Sequence, residues 1–157
     1  MAVLLAFYME HHLHAGKPMV GYLFATMGLT GALGALYAGS MKSPRRRVRV
    51  TWAVWTVSSL AALFMGLATH TWIVFIFPAL ASPCIYLGNV IWESMIQSDV
   101  PRELLGRVTS VDWFVSLGLS PVGLIVAGYL ATRWGVRTYF VVMGLVCTVP
   151  GLSLIHI

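Results

Sequence analysis

The stretch VTWAVWTVSSLAALFMGLATHTWIVFIFPALASPCIYLGNVIW, residues 50–92, contains no Asp, Glu, Lys or Arg. An α-helix needs about 20 apolar residues to cross the hydrocarbon core of a bilayer. The stretch is therefore too long for one crossing and long enough for two. A polar segment around His70 divides it. The sequence predicts two membrane-spanning helices, over 50–68 and 72–92.

Charged residues follow the same pattern along the whole chain. All fifteen Asp, Glu, Lys and Arg residues lie in four short clusters, separated by apolar stretches without charge. The remaining stretches predict spans over 18–39 and 109–131, and a last span that begins near Thr138. Only 10% of the chain is charged, whereas a soluble domain carries about 25%. The sequence therefore predicts an all-α fold, a polytopic membrane helix bundle.

Lys and Arg residues indicate how this bundle is oriented. If hairpin connections join successive spans, seven of the ten lie on one side, in the loops 40–49 and 93–108. Cytoplasmic loops carry the excess of positive charge, so both loops are predicted to be cytoplasmic. This placement explains the net charge of +5 better than nucleic-acid binding does. The expected partner is the lipid bilayer, and no nucleic acid is expected.

One predicted span carries polar residues along one side. Asn89, Glu93 and Gln97 are spaced by four and share a face if the helix continues past residue 92. A carboxylate and two amides at this depth are expected to face protein or water rather than lipid. We predict that these three residues and Tyr86 form a substrate cavity or gate. The alternative is that Glu93 marks the aqueous end of the span.

Asp112 has two interpretations. Thr109 and Asp112 fit a capping pair at the start of the helix over 109–131. Alternatively, Asp112 pairs with Arg107 or with the basic loop in one conformational state. Under this second interpretation, Arg107 and Asp112 couple the conformations of the protein near its cytoplasmic face.

The span over 18–39 is rich in small residues, among them Gly28, Gly31 and Gly34. In lipid, small residues let helix backbones approach closely, because packing replaces the hydrophobic effect as the driving force there. These glycines are predicted to pack against a neighbouring helix. The functional alternative is that a smooth helix slides or rocks against that neighbour.

A histidine-rich segment is the one candidate for metal binding. Glu10, His11, His12 and His14 could hold a metal loosely, although a wet loop outside the membrane is the preferred interpretation. No phosphate-binding loop, HExxH pattern or Ser/His/Asp set accompanies this segment. We therefore expect no enzyme activity, no catalytic residue, no cofactor and no metal site.

A longer motif covers the polar connection after residue 88 and the span that follows. It reads N-x-x-W-x-x-x-x-Q-x-x-V-P-x-x-x-x-G-R-V-x-S over residues 89–110. The next helix then contains Pro121, Gly123 and Gly128. This pattern resembles the connection between the tenth and eleventh helices of major facilitator superfamily transporters, in the branch of macrolide-efflux and enterobactin-exporter proteins. The basic loop 40–49 is similar to the C-terminal counterpart of that family's Gly…Asp-Arg…Gly-Arg-Arg loop, but it lacks the acidic residue.

The resemblance implies a fold and a set of partners. Residues 1–151 would be a partial C-terminal six-helix half of a twelve-helix fold, with the end of helix 7, helices 8–11 and part of helix 12. The implied partners are the missing N-terminal half of the same chain, a small-molecule substrate and protons as coupling ion. The residues predicted to act in conformational coupling are Arg46, Arg47, Arg107 and Asp112. The residues predicted to act in helix packing are Gly28, Gly31, Gly34, Pro121 and Gly123.

The implied function is proton-coupled export of a drug-like or siderophore-like solute across a bacterial inner membrane, by rocking-bundle alternating access. An importer of the same superfamily and a non-transporting membrane scaffold stay open as alternatives.

Both ends of the chain carry an expectation as well. The apolar run after Met1 looks like the tail of a helix, so the chain is expected to be a fragment of a longer protein. Residues 152–157, LSLIHI, resemble the in-frame translation of a transposon sequencing adapter and are expected to be non-native.

Overall fold

The computed structural model describes residues 5, 6, 8, 9, 16–42, 44–67 and 70–155. These residues form six long helices and no strand, and residues 5, 6, 8 and 9 are helical as well. The long helices are α1 (Lys17–Ser40), α2 (Arg47–Gly66), α3 (Thr71–Asp99), α4 (Arg102–Gly118), α5 (Ser120–Trp134) and α6 (Val136–Ile155).

Five segments of the described chain are long and apolar enough to cross a membrane. They are Pro18–Ser40, Arg47–Gly66, Trp72–Asp99, Arg102–Trp134 and Val136–Ser153. The fourth segment consists of α4 and α5 together. These segments match the five predicted spans in number and order. The prediction of an all-α, multi-pass membrane helix bundle is confirmed.

Several hydroxyl side chains within the spans donate hydrogen bonds to backbone carbonyls of the preceding turn, whereas the buried Thr51 hydroxyl has no partner among the described residues. Thr30 Oγ1 donates to the Thr26 carbonyl at 2.9 Å, one turn earlier, and Thr56 Oγ1 donates to the Trp52 carbonyl at 2.7 Å. Thr148 Oγ1 does the same to the Gly144 carbonyl at 2.6 Å. Because a polar group in hydrocarbon is costly without a partner, this pattern suits helices surrounded by lipid.

The helices pack in the spatial order α1, α3, α2, α6, α5. The apolar core lies near the end of the bundle where α1 and α3 begin and α2 ends. Leu23, Val74 and Phe140 are fully buried there. The N-terminal helical residues complete this core, since the Tyr8 ring lies edge-on to the Phe140 ring with centroids 6.2 Å apart.

Two predicted helix boundaries are wrong. Helix α3 does not end at residue 92 but continues to Asp99, and α4 begins at Arg102 rather than at residue 109. The residues between 93 and 99 include no helix breaker, and the first one after them is Pro101. The Pro101 carbonyl accepts from the N–H of Leu104 and of Leu105, which starts α4.

This correction changes the interpretation of Asp112. Thr109 and Asp112 lie in the middle of α4, and the N-cap of that helix is Pro101. The capping pair predicted from their spacing is therefore wrong, because a cap acts only on the free N–H groups of a first turn.

The span predicted over 109–131 is also interrupted. It changes from α4 to α5 at Leu119, one residue before a helix whose first turn contains Pro121. Proline has no N–H to donate to the preceding turn, so the helical hydrogen bonds restart there. At the other end of α5, Gly135 has φ of +82°, a conformation that favours glycine and allows the sharp turn into α6.

Candidate functional site

The predicted cavity residues Tyr86, Asn89, Glu93 and Gln97 all lie on α3. Their spacing places them on one side of the helix. Tyr86, Asn89 and Gln97 are exposed and Glu93 is half-buried. Within the described residues, Glu93 has no hydrogen-bond or ion-pair partner. The structure thus presents one polar stripe on the surface of an apolar span.

The N-terminal part of this stripe rests against α1. A Cβ added at Gly31 would come within 2.5 Å of the Tyr86 ring, so the ring occupies the space that a side chain at residue 31 would need. A Cβ added at Gly34 would lie 2.5 Å from Cα and 2.6 Å from the carbonyl oxygen of Pro83. The two glycines therefore let α1 approach the backbone of α3 at its second internal proline.

Not every predicted packing residue lies at such a contact. A Cβ added at Gly28 would meet no atom within 4 Å, and the same is true of Gly123. Pro121 is exposed in the first turn of α5. Among the described residues, Gly28 and Gly123 thus meet no neighbouring helix, and Pro121 is not buried in a contact.

The opposite side of α3 packs against tryptophans of α2. The Trp55 ring lies at the Cα of Gly88, and the Trp55 and Trp92 ring centroids are 6.1 Å apart. Trp52 meets Trp55 edge-on at 5.6 Å. The sequence analysis missed this cluster. Its signal was present in the Trp52-x-x-Trp55 spacing, which places both rings on one face of a helix.

A hydrogen-bond chain joins the first turn of α2 to the last turn of α3. Arg47 Nη1 donates to Ser98 Oγ at 2.7 Å, and Ser98 Oγ donates to Asp99 Oδ1 at 2.7 Å. Arg46 is exposed and forms the N-cap of α2 without a side-chain hydrogen bond. The two arginines predicted to act together therefore differ, since Arg47 links two helices and Arg46 faces solvent.

A cleft of about 650 Å³ opens beside this chain, at the same end of the bundle. Its charged lining residues belong to the start of α2, to the turn before it and to the end of α3. Its apolar lining residues lie on the same two helices. The lining residues are Arg45, Arg46, Arg47, Val48, Arg49, Trp52, Met95 and Asp99.

Arg107 and Asp112 are not brought together with the polar stripe of α3. Both lie on α4, which contains no buried residue and makes few close approaches to α3 or α5. Arg107 is exposed and Asp112 is half-buried. No ion pair joins Asp112 to Arg107 or to any other described residue. Their proposed coupling role stays a prediction.

At the opposite end of the bundle, a side-chain hydrogen bond and a close backbone approach join α2 and α6. Arg137 Nε donates to the Gly66 carbonyl at 3.2 Å, at the C-terminus of α2. A cation at this position also complements the helix dipole. A Cβ at Gly66 would lie 2.9 Å from Phe140 Cβ, so glycine is what allows the close approach.

The histidine-rich segment with Glu10, His11, His12 and His14 lies outside the described residues. Among the residues that the structure does describe, no group of three or more His, Cys, Asp or Glu could hold a metal ion. Cys84 and Cys147 are free thiols.

Comparison with known proteins gives a consistent result. The family model described as Major Facilitator Superfamily matches residues 1–155. The multidrug efflux pump Tap of Mycolicibacterium fortuitum is 29% identical over 133 residues, which cover 80% of this chain and 31% of that protein. Tap of Mycobacterium tuberculosis (strain ATCC 25618 / H37Rv) is 30% identical over 138 residues, or 83% of this chain and 30% of that protein.

A further relative is the protein named "Uncharacterized MFS-type transporter y4rN" of Sinorhizobium fredii. It is 26% identical over 147 residues, covering 91% of this chain and 35% of that protein. The chain thus spans about a third of the length of the curated relatives it matches. No solved structure was found to match it.

Proposed function

Because the chain belongs to the Major Facilitator Superfamily, we propose that it forms part of the C-terminal half of an exporter of drug-like or siderophore-like solutes. Family membership and five spanning segments support a multi-pass membrane transporter chain rather than an enzyme. Export is proposed because two of the relatives bear the name multidrug efflux pump. A bacterial inner membrane is the proposed location, since these relatives are bacterial.

The polar stripe on α3 is the observation that carries this proposal. Lipid disfavours a carboxylate and amides, so the part of the stripe that the described helices leave uncovered, from Asn89 to Gln97, is proposed to line a water-filled cavity. Asn89 and Gln97 would offer hydrogen bonds to a solute, and Tyr86 an aromatic surface. Gly31 sets the place of the Tyr86 ring, because no other residue leaves room for it against α1.

Glu93 is proposed to carry the coupling proton. It is half-buried on the stripe, and no described residue pairs with it, so its charge is not neutralised by a fixed partner. Protonation on one side of the membrane and release on the other would let a proton gradient drive a solute in the opposite direction. The two prolines within α3, Pro78 and Pro83, remove backbone donors and make this helix the natural place for bending during alternating access.

The distribution of Lys and Arg indicates which end of the bundle faces the cytoplasm. The loops 40–49 and 93–108 are proposed to be cytoplasmic, because they contain seven of the ten Lys and Arg residues. The Arg47–Ser98–Asp99 chain would then hold α2 and α3 together at the cytoplasmic surface.

The test uses the full-length transporter in inverted membrane vesicles. With an imposed proton gradient, we expect uptake of an efflux substrate into inverted vesicles, and loss of gradient-driven uptake in Glu93→Gln. Substrate binding without a gradient should persist in that variant. Glu103→Gln is the matched control, since Glu103 is an exposed carboxylate in the first turn of α4 and lies outside the stripe.

Three results would count against parts of the proposal. Unchanged transport and pH dependence in Glu93→Gln would remove the role of Glu93. Uptake only into right-side-out vesicles would identify an importer. No protein-dependent solute gradient in either orientation would support a membrane scaffold.

A further inference from the structure

We propose that the cleft at the start of α2 binds the phosphate headgroup of an anionic phospholipid. The cleft has a volume of about 650 Å³ and is lined on one side by Arg45, Arg46, Arg47 and Arg49. This inference does not rest on transport, because it concerns how the bundle meets the membrane surface.

The charge of the cleft favours an anion. Four guanidinium groups line it, and Asp99 is its one acidic lining residue. The Asp99 carboxylate is already engaged by Ser98, which in turn accepts from Arg47. One of its oxygens is therefore committed to a hydrogen bond within the protein. Four guanidinium groups against one carboxylate leave a surplus of positive charge in the lining, and guanidinium N–H groups suit phosphate oxygens.

The backbone adds to this preference. Helix α2 begins at Arg47 with no acidic residue in its first turn and no side-chain hydrogen bond from its N-cap residue. The free N–H groups of a first turn and the positive end of the helix dipole favour a negative group nearby. An exposed Arg46 at the N-cap strengthens the same field.

The position of the cleft identifies a lipid rather than a dissolved anion as the occupant. The cleft lies where the apolar spans of α2 and α3 reach their charged ends. In a membrane, such ends meet the lipid headgroups. Its other lining residues, Val48, Trp52 and Met95, are apolar. Trp52 and Met95 lie about one helical turn further from the charged ends of α2 and α3 than Arg49 and Asp99 do. A phospholipid presents this same sequence of groups, a phosphate followed by a glycerol ester and an acyl chain. Basic pockets between membrane helices are suited to such headgroups.

The experiment measures lipid binding to the 157-residue chain in a neutral detergent by native mass spectrometry. The chain is titrated with short-chain phosphatidylglycerol, with phosphatidylcholine of equal chain length, and with inorganic phosphate as a competitor. The test variant is Arg45→Gln/Arg46→Gln, because both residues are exposed and lie before the helix. The control is Arg102→Gln/Arg107→Gln, which removes the same charge from exposed residues that do not line the cleft.

We expect phosphatidylglycerol to bind in preference to phosphatidylcholine. We expect its affinity to fall roughly 25-fold in the test variant, about fivefold for each arginine, and less than about twofold in the control. Equal losses in both variants would overturn the proposal, because attraction would then be a diffuse effect of net charge. Displacement by inorganic phosphate at the same concentration would also overturn it and indicate a general anion site.

The absence of any preference for phosphatidylglycerol in the unaltered chain would equally overturn the proposal, and would favour an acidic protein segment as the occupant. Circular dichroism checks that each variant keeps the helicity of the parent chain. If the double variant loses it, the single variants Arg45→Gln and Arg46→Gln supply the test, each with an expected decrease of about fivefold.

Discussion

The span of α6 and the span formed by α4 and α5 are both apolar enough to cross a membrane, yet they pack to different extents against the other described helices. In the span containing α6, 35% of the residues in its most apolar window are buried, against 11% in the span of α4 and α5. Helix α6 lies along α2, with Gly144 against Leu63 and Gly66 against Phe140. Helix α4 has no buried residue at all.

The difference teaches what holds membrane helices together. Apolar character alone does not make a membrane span pack, because lipid solvates an apolar surface as well as another helix does. Close approach needs small residues at the point of contact, and the contact between α2 and α6 has a glycine on each side. Helix α4 is not buried against any described helix, although it carries Asp112 and Arg107, which lipid disfavours. We propose that its partner is the other half of the transporter.

The largest expected effect comes from removing a tryptophan from the packed region. Trp92→Ala should lower the free energy of unfolding by about 3 kcal/mol, because it deletes a ring from the cluster with Trp55 at the α2–α3 contact. Trp113→Ala is the control, since Trp113 is half exposed on α4. Its removal should change stability by less than about 0.5 kcal/mol. Denaturant unfolding in detergent, followed by circular dichroism, measures both. Equal losses would show that α4 packs as firmly as α3.

The sequence predicted the number and order of the spans but not their partners. Charge clusters located five spans because a charge in hydrocarbon is costly wherever it occurs, which is a property of single residues. The end of α3 was missed because the prediction ends the span at the charge of Glu93, whereas residues 93–99 contain no helix breaker and the helix continues to Asp99.

Which residue of one helix packs against another helix depends on the surfaces of both helices and on the angle between them. Nothing in the spacing of Gly28, Gly31 and Gly34 shows which of them meets α3. That choice depends on the tilt of α1 against α3, and single-chain periodicity does not contain the tilt. The contact between Trp55 and Gly88 could not be predicted from the sequence for the same reason.

A smaller effect is expected from two glycines of α1. Gly34→Ala should destabilise the bundle by about 2 kcal/mol, because its Cβ would lie 2.5 Å from the backbone of Pro83, which has no rotamer with which to move away. Gly28→Ala should leave stability unchanged or raise it by up to about 1 kcal/mol, since its Cβ meets nothing and alanine favours a helix. Thermal unfolding of the two variants in detergent compares them. Destabilisation by Gly28→Ala would mean that α1 has a second packed face within this chain.

The smallest expected effect on stability comes from substituting two aspartates. These substitutions also test directly whether α4 packs less than the other helices. Asp112→Asn should leave the thermal midpoint of this chain unchanged, because Asp112 lies on α4 and pairs with no described residue. Asp99→Asn should lower it, since Asp99 accepts from Ser98 in the chain that joins α2 to α3.

Transport by the full-length protein should reverse this order, because the proposed partner of α4 is then present and Asp112 can act in coupling. A chain that loses stability with Asp112→Asn would show that α4 already has its partner here. A transporter indifferent to the change would remove Asp112 from the coupling mechanism. The stability of this chain and the activity of the whole protein thus test different contacts of the Asp112 carboxylate. An interface beyond this chain is supported only if Asp112→Asn leaves stability unchanged and impairs transport.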